Sequence, residues 1–506
     1  MTGGGTSPSP VHTGEIEVTS LAPEPGVALT SDIDLALGSD RRFGSAEAIE
    51  ARNLARYRLG LQVLARYHPR AADRLTRLSL AGDADLRPLM YDPVLRNAFE
   101  NDMTALELQT GEAADLVAHL ERGVADTLDG VGPCERLSRP RVRPWPDRAV
   151  SWVWTDLETD SGPDLALSAR LEELLAGTLS KDGSGTRVRP DAGLITALSH
   201  AAELLAELLP HSGAGVLPHV SLAGFIRDEL ADGTLNSVSG GDPLPSALFL
   251  APERLSDPWT AAETLFHEGL HLKLFDVLRT GSLAAETGEL IPIPWRVEPW
   301  TLTRVLFAMH VYVHLLLFHA AASQASSDLR ARYGEPAAEF VDLATPGSQA
   351  GENGGYTTSL ERATYLAQQA SQVYGHLLTP TGRQFVDWLI GNVAPIAPGI
   401  VPGQAPVAAG RPAPEVALGA RGYRRAEPVQ VCPIPEQGQL VAFSPAPPSF
   451  RWLNDHAWLI YALCDGGDLS SLRDRYSQAA GPGTEDRLVP GVADLLSAGL
   501  IVPVGS

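Results

Sequence analysis

The sequence predicts a mainly α protein with a small β component, an α+β fold, in two folded units. Apolar residues recur at three- and four-residue spacing over most of the chain, which is typical of amphipathic helices. Short apolar runs bounded by Gly and Pro are few, so only a handful of strands is predicted. A Pro/Gly/Ala-rich stretch late in the chain separates a long unit from a short one.

The 506 residues fall into four segments. Residues 1–28 are rich in Gly, Ser, Thr and Pro and are predicted to be disordered. Residues 29–392 form a mainly helical region. Residues 393–421 have no periodic apolar pattern and form a linker, and residues 422–506 form a separate small domain.

Helices are predicted in the long region wherever the apolar spacing persists. Their bounds are Ala46–His68, Leu106–Leu128, Leu165–Leu179, Asp191–Leu209, Ser256–Phe275, Thr301–Ala325, Tyr356–Leu377 and Thr381–Asn392. Three short runs, Ala149–Thr155, Pro218–Phe225 and Ser246–Ala251, are predicted strands. The helix after the third strand has a start signal, because Asp257 can cap it and Pro258 suits its first position.

The small domain has a different pattern. Pro428–Cys432 and Gln439–Phe443 are predicted to pair as a hairpin, because turn residues join them. The helices that follow are Leu453–Leu463, Leu469–Tyr476 and Pro490–Ala498. Two strands and three helices in this length are typical of a winged-helix-like unit.

Charge and cysteine usage exclude several classes of protein. The formal net charge is −22 with no basic stripe to offset it, so nucleic-acid binding is not expected. Cys134, Cys432 and Cys464 are far apart and indicate a reducing cytoplasm rather than a disulfide framework. The N-terminus shows no signal peptide pattern. Histidines interrupt Val305–Ala322, which favours a buried helix over a membrane span.

His267-Glu268-Gly-Leu-His271 is the stretch that indicates chemistry. Two histidines four residues apart lie on one face of a helix and can share a metal ion. A strand, a turn and a helix with this motif follow one another in zincin-like metal domains. The sequence therefore predicts a metal site on the helix that follows Ser246–Ala251.

A metal ion needs at least a third protein ligand. His310 is the best candidate, because the next long helix can cross the motif helix and bring it to the pair. His314 lies one turn further along that helix. Glu298 stands where a zinc peptidase would carry its distal glutamate. The sequence alone leaves these three alternatives open.

The identity of the metal decides the role of Glu268. With zinc, Glu268 would be the general base that deprotonates the metal-bound water. With iron(II), Glu268 would not bind the metal but would orient a metal ligand or a water. Three protein ligands would leave iron(II) the open positions that 2-oxoglutarate and O₂ need. Arg296 or Arg304 would then pair with the far carboxylate of the keto acid.

Residues 29–392 resemble the His-Glu-x-x-His family of peptide-modification proteins, from pathways for ribosomally made and post-translationally modified peptides. The stretches that carry the resemblance are Thr264-Leu-Phe-His267-Glu268-Gly-Leu-His271, Pro294-Trp295-Arg296 and Met309-His310-Val-Tyr. The resemblance implies an iron- and 2-oxoglutarate-dependent peptide hydroxylase that acts at a side-chain β-carbon.

Residues 422–506 resemble the small winged-helix-like domains that recognise the leader segments of precursor peptides. The stretches that carry the resemblance are Leu453-Asn454, Ile460-Tyr-Ala-Leu-Cys-Asp465-Gly466 and Leu495-Leu-Ser-Ala-Gly499-Leu500-Ile501. The resemblance implies that a leader adds as an extra strand along Gln439–Phe443, near Arg473. A tethered leader would raise the effective concentration of the core peptide at the metal.

Three functions are compatible with the sequence. The first is hydroxylation of a precursor peptide with Fe(II), O₂ and 2-oxoglutarate, and the second is a zinc metallopeptidase that processes a peptide. The third is a leader-binding scaffold without catalysis. The expected partner is a ribosomal precursor peptide, with neither nucleic acid nor membrane. Neither the identity of that peptide nor the oligomeric state follows from the sequence.

Overall fold

The computed structural model describes residues 25–123, 144–145, 151–155, 162–179, 185–228, 236–285, 287–341, 356–400, 422–427, 429–481 and 483–504. The described residues are mostly helical with small sheets, which confirms the predicted mainly α protein with a small β component.

The α-helices have the following bounds: α1 Pro25–Ser39, α2 Ala46–Tyr67, α3 Ala72–Ser79, α4 Asp83–Tyr91, α5 Pro93–Leu108, α6 Asp115–Gly123, α7 Gly162–Thr178, α8 Ala192–Leu208, α9 Pro258–Leu278, α10 Leu302–Ser323, α11 Ser327–Tyr333, α12 Ala338–Val341, α13 Ser359–Gln368, α14 Pro380–Val393, α15 Asp455–Leu463, α16 Leu469–Ala480 and α17 Leu488–Ser497. The strands are β1 Trp152–Val153, β2 Thr186–Arg187, β3 Leu222–Arg227, β4 Val238–Ser239, β5 Ala247–Leu250, β6 Gly422–Arg425, β7 Gln430–Ile434, β8 Gln439–Pro445, β9 Pro448–Leu453, β10 Asp465–Asp468 and β11 Ile501–Val504.

Polar caps fix where the two central helices begin. Asp257 accepts a hydrogen bond from the Thr260 N–H, and Pro258 occupies the first position of α9, as predicted. Thr301 accepts a hydrogen bond from the Arg304 N–H at the start of α10. Because the caps set where each helix starts, they also set the faces on which its histidines lie.

The motif helix α9 lies against a five-stranded sheet. The strand order is β1-β3-β5-β4, with β2 paired to β3. β1, β3 and β5 are parallel, whereas β4 pairs antiparallel with β5 at the edge. Because α9 contacts both β4 and β5, the edge strand runs beside the helix that carries the motif.

The second long helix, α10, lies in the main core. Among the described helices only α10 is long and apolar enough to cross a membrane, and 83% of its apolar window is buried inside the protein. It packs against α9, α13 and α14. This burial agrees with the prediction of a core helix over Val305–Ala322.

The helix predicted over Leu106–Leu128 is wrong. α5 ends at Leu108, because the next residue, Gln109, has a left-handed backbone with φ of 55°. A second helix, α6, begins at Asp115, and residues 124–128 lie outside the described residues. Because the apolar spacing continues across residues 109–114, the sequence pattern does not indicate this break.

Two predicted segment bounds also differ from the structure. α1 begins at Pro25, inside the segment predicted to be disordered. Ala397 and Ile400, predicted to belong to the linker, are buried in the main core, so the packed region extends past residue 392. The rest of the predicted linker, 401–421, lies outside the described residues.

The small domain contains two three-stranded antiparallel sheets, β7-β8-β9 and β10-β6-β11, together with α15, α16 and α17. The predicted hairpin is present as β7 and β8, but the sequence pattern missed β9, which pairs with the other side of β8. Both edges of β8 are therefore occupied. The placement of a leader strand along Gln439–Phe443 is wrong for this reason.

The β7-β8-β9 sheet joins the small domain to the long region. Val441 and Phe443 on one face belong to the core built by α2 to α6, whereas Leu440 on the other face packs with the domain's own helices. Arg52 of α2 donates a hydrogen bond of 3.0 Å to the Gln437 side chain. Both faces of this sheet are therefore covered, and its position relative to α2 is fixed.

Candidate metal site

His267 and His271 lie on one face of α9 with their ring centroids 5.0 Å apart. Both residues are partly exposed, whereas Phe266 and Leu270 beside them are buried. Within the described part of the chain, neither ring has a hydrogen-bond partner. Two unpaired imidazoles at this spacing form the arrangement that a shared metal ion requires.

Burial and nearby positive charges keep both histidines neutral. Burial lowers the pKa of His267 to about 4, and the charges of Arg254 and Arg296 add to this effect. Burial likewise lowers the pKa of His271 to about 3, with further lowering by His267 and Arg304. Because a metal binds the neutral imidazole, protons do not compete for these nitrogens at neutral pH.

Close packing holds the motif helix in place. The short 3₁₀ helix Ala214–His219 crosses α9 at Gly269, where a Cβ atom would lie 2.8 Å from the Val216 side chain. On the exposed side, the ring of Phe307 lies 5.9 Å from that of His271 and 4.5 Å from that of Phe275. The glycine of the motif is therefore needed for close packing.

The loop before α10 carries Arg296, and the first turn of α10 carries Arg304, near the two histidines. Ile291 and Trp300 close this loop with backbone hydrogen bonds of 2.6 and 2.9 Å. The guanidinium carbons of Arg304 and Arg296 lie 4.8 and 6.0 Å from the centre of the Trp300 ring. Neither guanidinium forms an ion pair with any described carboxylate. The two arginines predicted to bind the keto acid therefore lie in electrostatic range of the pair.

Glu268 is buried between the motif helix and the sheet and is 5% exposed. Burial raises its pKa to about 8, although a hydrogen bond from the backbone of Ser239 opposes this shift. Because Ser239 belongs to β4, Glu268 links the motif helix to the edge strand of the sheet.

No third metal ligand is gathered at the pair. The described residues contain no group of three His, Cys, Asp or Glu side chains that could hold a metal ion. His310 is 1% exposed, and its ring packs against Phe385, Trp388 and His314. Glu298 is exposed in the loop. The structure therefore provides two side chains that fit a metal ion, His267 and His271. The third ligand stays a prediction.

A buried polar cluster lies between α9 and α10. Lys273 is fully buried, and its ammonium has no hydrogen-bond partner among the described residues. His314 donates from Nδ1 to the His310 carbonyl at 2.8 Å, so its Nε2 is an unpaired acceptor in the same part of the structure. Burial and the charge of Lys273 lower the pKa of His314 to about 3. The signal that sequence reasoning missed is one lysine inside the apolar run Leu272–Phe275.

The C-terminal end of α9 carries a second polar group, in which Asp276 is paired with two side chains. Asp276 accepts a hydrogen bond of 2.6 Å from Nδ1 of His219 and forms an ion pair with Arg96. Burial raises the pKa of Asp276, but Arg96 and His219 bring it below its ordinary value. Arg96 also donates to Ser246 in front of β5, so this network joins α5, α9 and the sheet.

Of the predicted site residues, the structure groups His267 and His271 with Arg296 and Arg304, and it places Glu268 and His310 in buried surroundings. Comparison with protein-family models and with curated proteins gives no match to this chain. The side chains of the site therefore carry the functional proposal.

Proposed function

We propose that the protein is a maturation enzyme for ribosomally made peptides, and that it hydroxylates a side chain of a precursor peptide with Fe(II), O₂ and 2-oxoglutarate. One observation carries the proposal: the neutral, unpaired His267 and His271 lie in range of two arginines that have no described carboxylate partner. Metal ligands beside a carboxylate-binding group are what a keto-acid-dependent oxygenase needs.

Each group at the site has a task on this proposal. His267 and His271 would hold the iron, with His310 as the proposed third ligand. Bound iron and keto acid would supply the oxidation of a C–H bond by O₂, with the keto acid converted to succinate and CO₂. An arginine would bind the far carboxylate of the keto acid. The Trp300 ring supports that guanidinium from the side.

The surroundings of Glu268 favour iron over zinc. A general base must reach the water that it deprotonates. Glu268 is buried, and its carboxyl is engaged by the backbone of Ser239 in β4. These properties suit a residue that positions the motif helix on β4 better than one that removes a proton.

The small domain would bind the leader of the precursor peptide at an outer strand of its sheet and not along Gln439–Phe443 in β8. Its sheet has two outer strands, β7 and β9. Pro433 in β7 has no N–H to offer to an added strand, and neither has Pro448, the first residue of β9. On β9, the Phe450 N–H is accepted by the Glu107 side chain at 3.1 Å, so it faces away from β8. We place the leader along β9, where it would displace Glu107 and add main-chain hydrogen bonds.

Mass spectrometry of the precursor peptide tests the proposal. The full chain is incubated with the precursor peptide, Fe(II), ascorbate and 2-oxoglutarate in air. The expected result is a gain of one oxygen atom that requires the keto acid, with one succinate formed for each oxygen. Binding of the peptide without any change in mass would instead support a leader-binding scaffold.

A zinc metallopeptidase is the second candidate, and one observation favours it. β4 is an antiparallel edge strand beside the motif helix, and such an edge can bind an extended peptide through its backbone.

The Glu268→Gln variant distinguishes the two candidate enzymes. The peptidase would lose nearly all turnover, because its general base is gone. The hydroxylase keeps measurable turnover, because glutamine still accepts the Ser239 hydrogen bond. Cleavage of the peptide backbone by the unaltered enzyme would rule out the hydroxylase.

A further inference from the structure

The site holds two arginines, but one guanidinium is enough for the far carboxylate of a keto acid. We infer that Arg304 binds the keto acid and that Arg296 binds a carboxylate of the substrate peptide, so that the enzyme acts on an acidic residue or on its direct neighbour. This inference rests on the proposed function and adds the class of substrate to it.

The two positive charges beside Trp300 favour the binding of anions. Arg296 and Arg304 share contact with one indole, so two positive charges are held close to each other. The pKa of Arg304 is lowered by burial and then by the charge of Arg296, which shows the mutual repulsion. Glu298 opposes this shift but does not pair with either guanidinium. Two uncompensated cations beside a metal site are satisfied when each meets a carboxylate.

The two arginines differ in how firmly they are placed. Arg304 lies in the first turn of α10, its N–H bonds to the Thr301 cap, and its guanidinium lies closer to the indole. The same helix carries Phe307, whose ring lies 5.9 Å from that of His271. A keto acid that chelates the metal has little freedom, so its far carboxylate needs a cation on a fixed element. Arg304 meets this requirement.

Arg296 lies where a peptide from solvent would arrive. It is exposed on the loop, and its guanidinium carbon lies 6.0 Å from the centre of the Trp300 ring that Arg304 also contacts. Its neighbour Val297 is 96% exposed at the tip of the same loop. A guanidinium beside an open apolar side chain offers one contact to a carboxylate and another to the apolar part of an adjoining residue.

The charge of the whole chain sharpens this preference. With a formal net charge of −22, most of the surface repels an acidic peptide. Attraction for a carboxylate is therefore concentrated at the site itself, and an acidic residue would be drawn to the metal-binding pair rather than elsewhere.

Two separate binding measurements on the full chain loaded with Zn(II), which takes the place of iron without activating O₂, test the inference. The first follows intrinsic tryptophan fluorescence during titration with 2-oxoglutarate. The second uses two capped tripeptides, one with Asp and one with Asn between alanines. The Trp300→Phe variant establishes which part of the signal arises at the site. Arg330→Gln is the matched control, because Arg330 is a surface arginine on α11 that already pairs with Glu335.

We expect the unaltered chain to bind the Asp tripeptide at least about tenfold more tightly than the Asn tripeptide, which corresponds to one charge-assisted contact. Arg296→Gln should abolish this preference and leave 2-oxoglutarate binding within about twofold. Arg304→Gln should weaken 2-oxoglutarate at least about tenfold and keep the preference. Arg330→Gln should change neither.

The outcomes separate the inference from the function on which it rests. If the unaltered chain binds 2-oxoglutarate but shows no preference for Asp, or if Arg296→Gln keeps that preference, the assignment of Arg296 is overturned and the hydroxylase proposal stands. If 2-oxoglutarate does not bind in a saturable way, the hydroxylase proposal fails, whatever the tripeptides do.

Discussion

The middle and the C-terminal end of α9 carry polar side chains in opposite circumstances. His267 and His271, in its middle, are partly exposed and have no hydrogen-bond partner among the described residues. Asp276, near its C-terminal end, is buried and is paired with both Arg96 and His219. A polar group whose partners are all within the protein stabilises the fold, whereas one that lacks them is available to a ligand.

This contrast separates structural residues from candidate functional residues on a single helix. Lys273 lies between the two groups and belongs fully to neither, because it is buried like Asp276 but unpaired like the histidines. Substitutions at these positions should therefore differ in kind. Some should change the free energy of unfolding, and others should change only the binding of metal.

The largest effect is expected from Asp276→Ala. Removal of one partner from a buried ion pair leaves Arg96 and His219 without their acceptor, which costs about 3–5 kcal/mol in the free energy of unfolding. Urea denaturation measures this change. Asp387→Ala on the exposed face of α14 is the control, with a change within about 0.5 kcal/mol. An Asp276→Ala variant as stable as the unaltered chain would show that the network does not stabilise α9.

The free energy of unfolding should fall in acid because His314 of α10 is buried. The pKa of His314 is lowered to about 3 in the folded protein, from an ordinary value near 6.5. The unfolded chain therefore binds the proton first, so stability falls as the pH drops from 6.5 towards 3, by about 1.4 kcal/mol per pH unit.

The His314→Asn variant isolates that contribution. Asparagine can still donate to the His310 carbonyl, but it does not titrate. Its free energy of unfolding should therefore depend on pH less steeply than that of the unaltered chain, by about one proton between pH 6 and 4. Equal slopes for the two proteins would mean that His314 takes up a proton in the folded state.

Substitution of His267 or His271 should weaken metal binding without changing the free energy of unfolding. His267→Ala or His271→Ala is expected to weaken Fe(II) or Zn(II) binding by more than about 100-fold, since the loss of partners behind a ligand alone costs 10–100-fold. Equilibrium dialysis with elemental analysis measures the affinity. His376→Ala, at an exposed histidine on another element, should bind metal as the unaltered chain does. A retained affinity in both motif variants would place the metal elsewhere.

The smallest expected effect has the opposite sign. Lys273→Met replaces an unpaired buried ammonium with a side chain of similar length, so it should raise the free energy of unfolding by about 1–2 kcal/mol. Thermal and urea denaturation report this change. A destabilised variant would mean that Lys273 is satisfied by groups such as bound water, and it would then belong with Asp276.

Local signals explain which parts of the site could be predicted. Asp257, Pro258 and the spacing of His267 and His271 act within one helix, and the structure has the helix, its cap and the shared face as expected. Arg296 was named from the sequence as one of two candidates for the keto acid, and in the structure its charge lies in range of His267. Its binding of a keto acid stays a prediction.

Long-range packing explains what could not be predicted. β9 is recognised only by its pairing with β8, and its existence moved the expected leader site to another edge. The burial of His310 depends on α14, which lies about seventy residues further along the chain. The partner of Glu268 is in β4, a two-residue strand too short to give a sequence pattern.

The central claim is that His267 and His271 hold an iron that a keto acid chelates. Its most direct test is the visible absorption of the full chain with Fe(II) and 2-oxoglutarate in the absence of O₂. We predict a charge-transfer band that develops with 2-oxoglutarate but not with succinate, and that is lost in His267→Ala and His271→Ala. If Fe(II) and 2-oxoglutarate give no such band while the chain binds Zn(II) through the same histidines, the account of an iron oxygenase is contradicted.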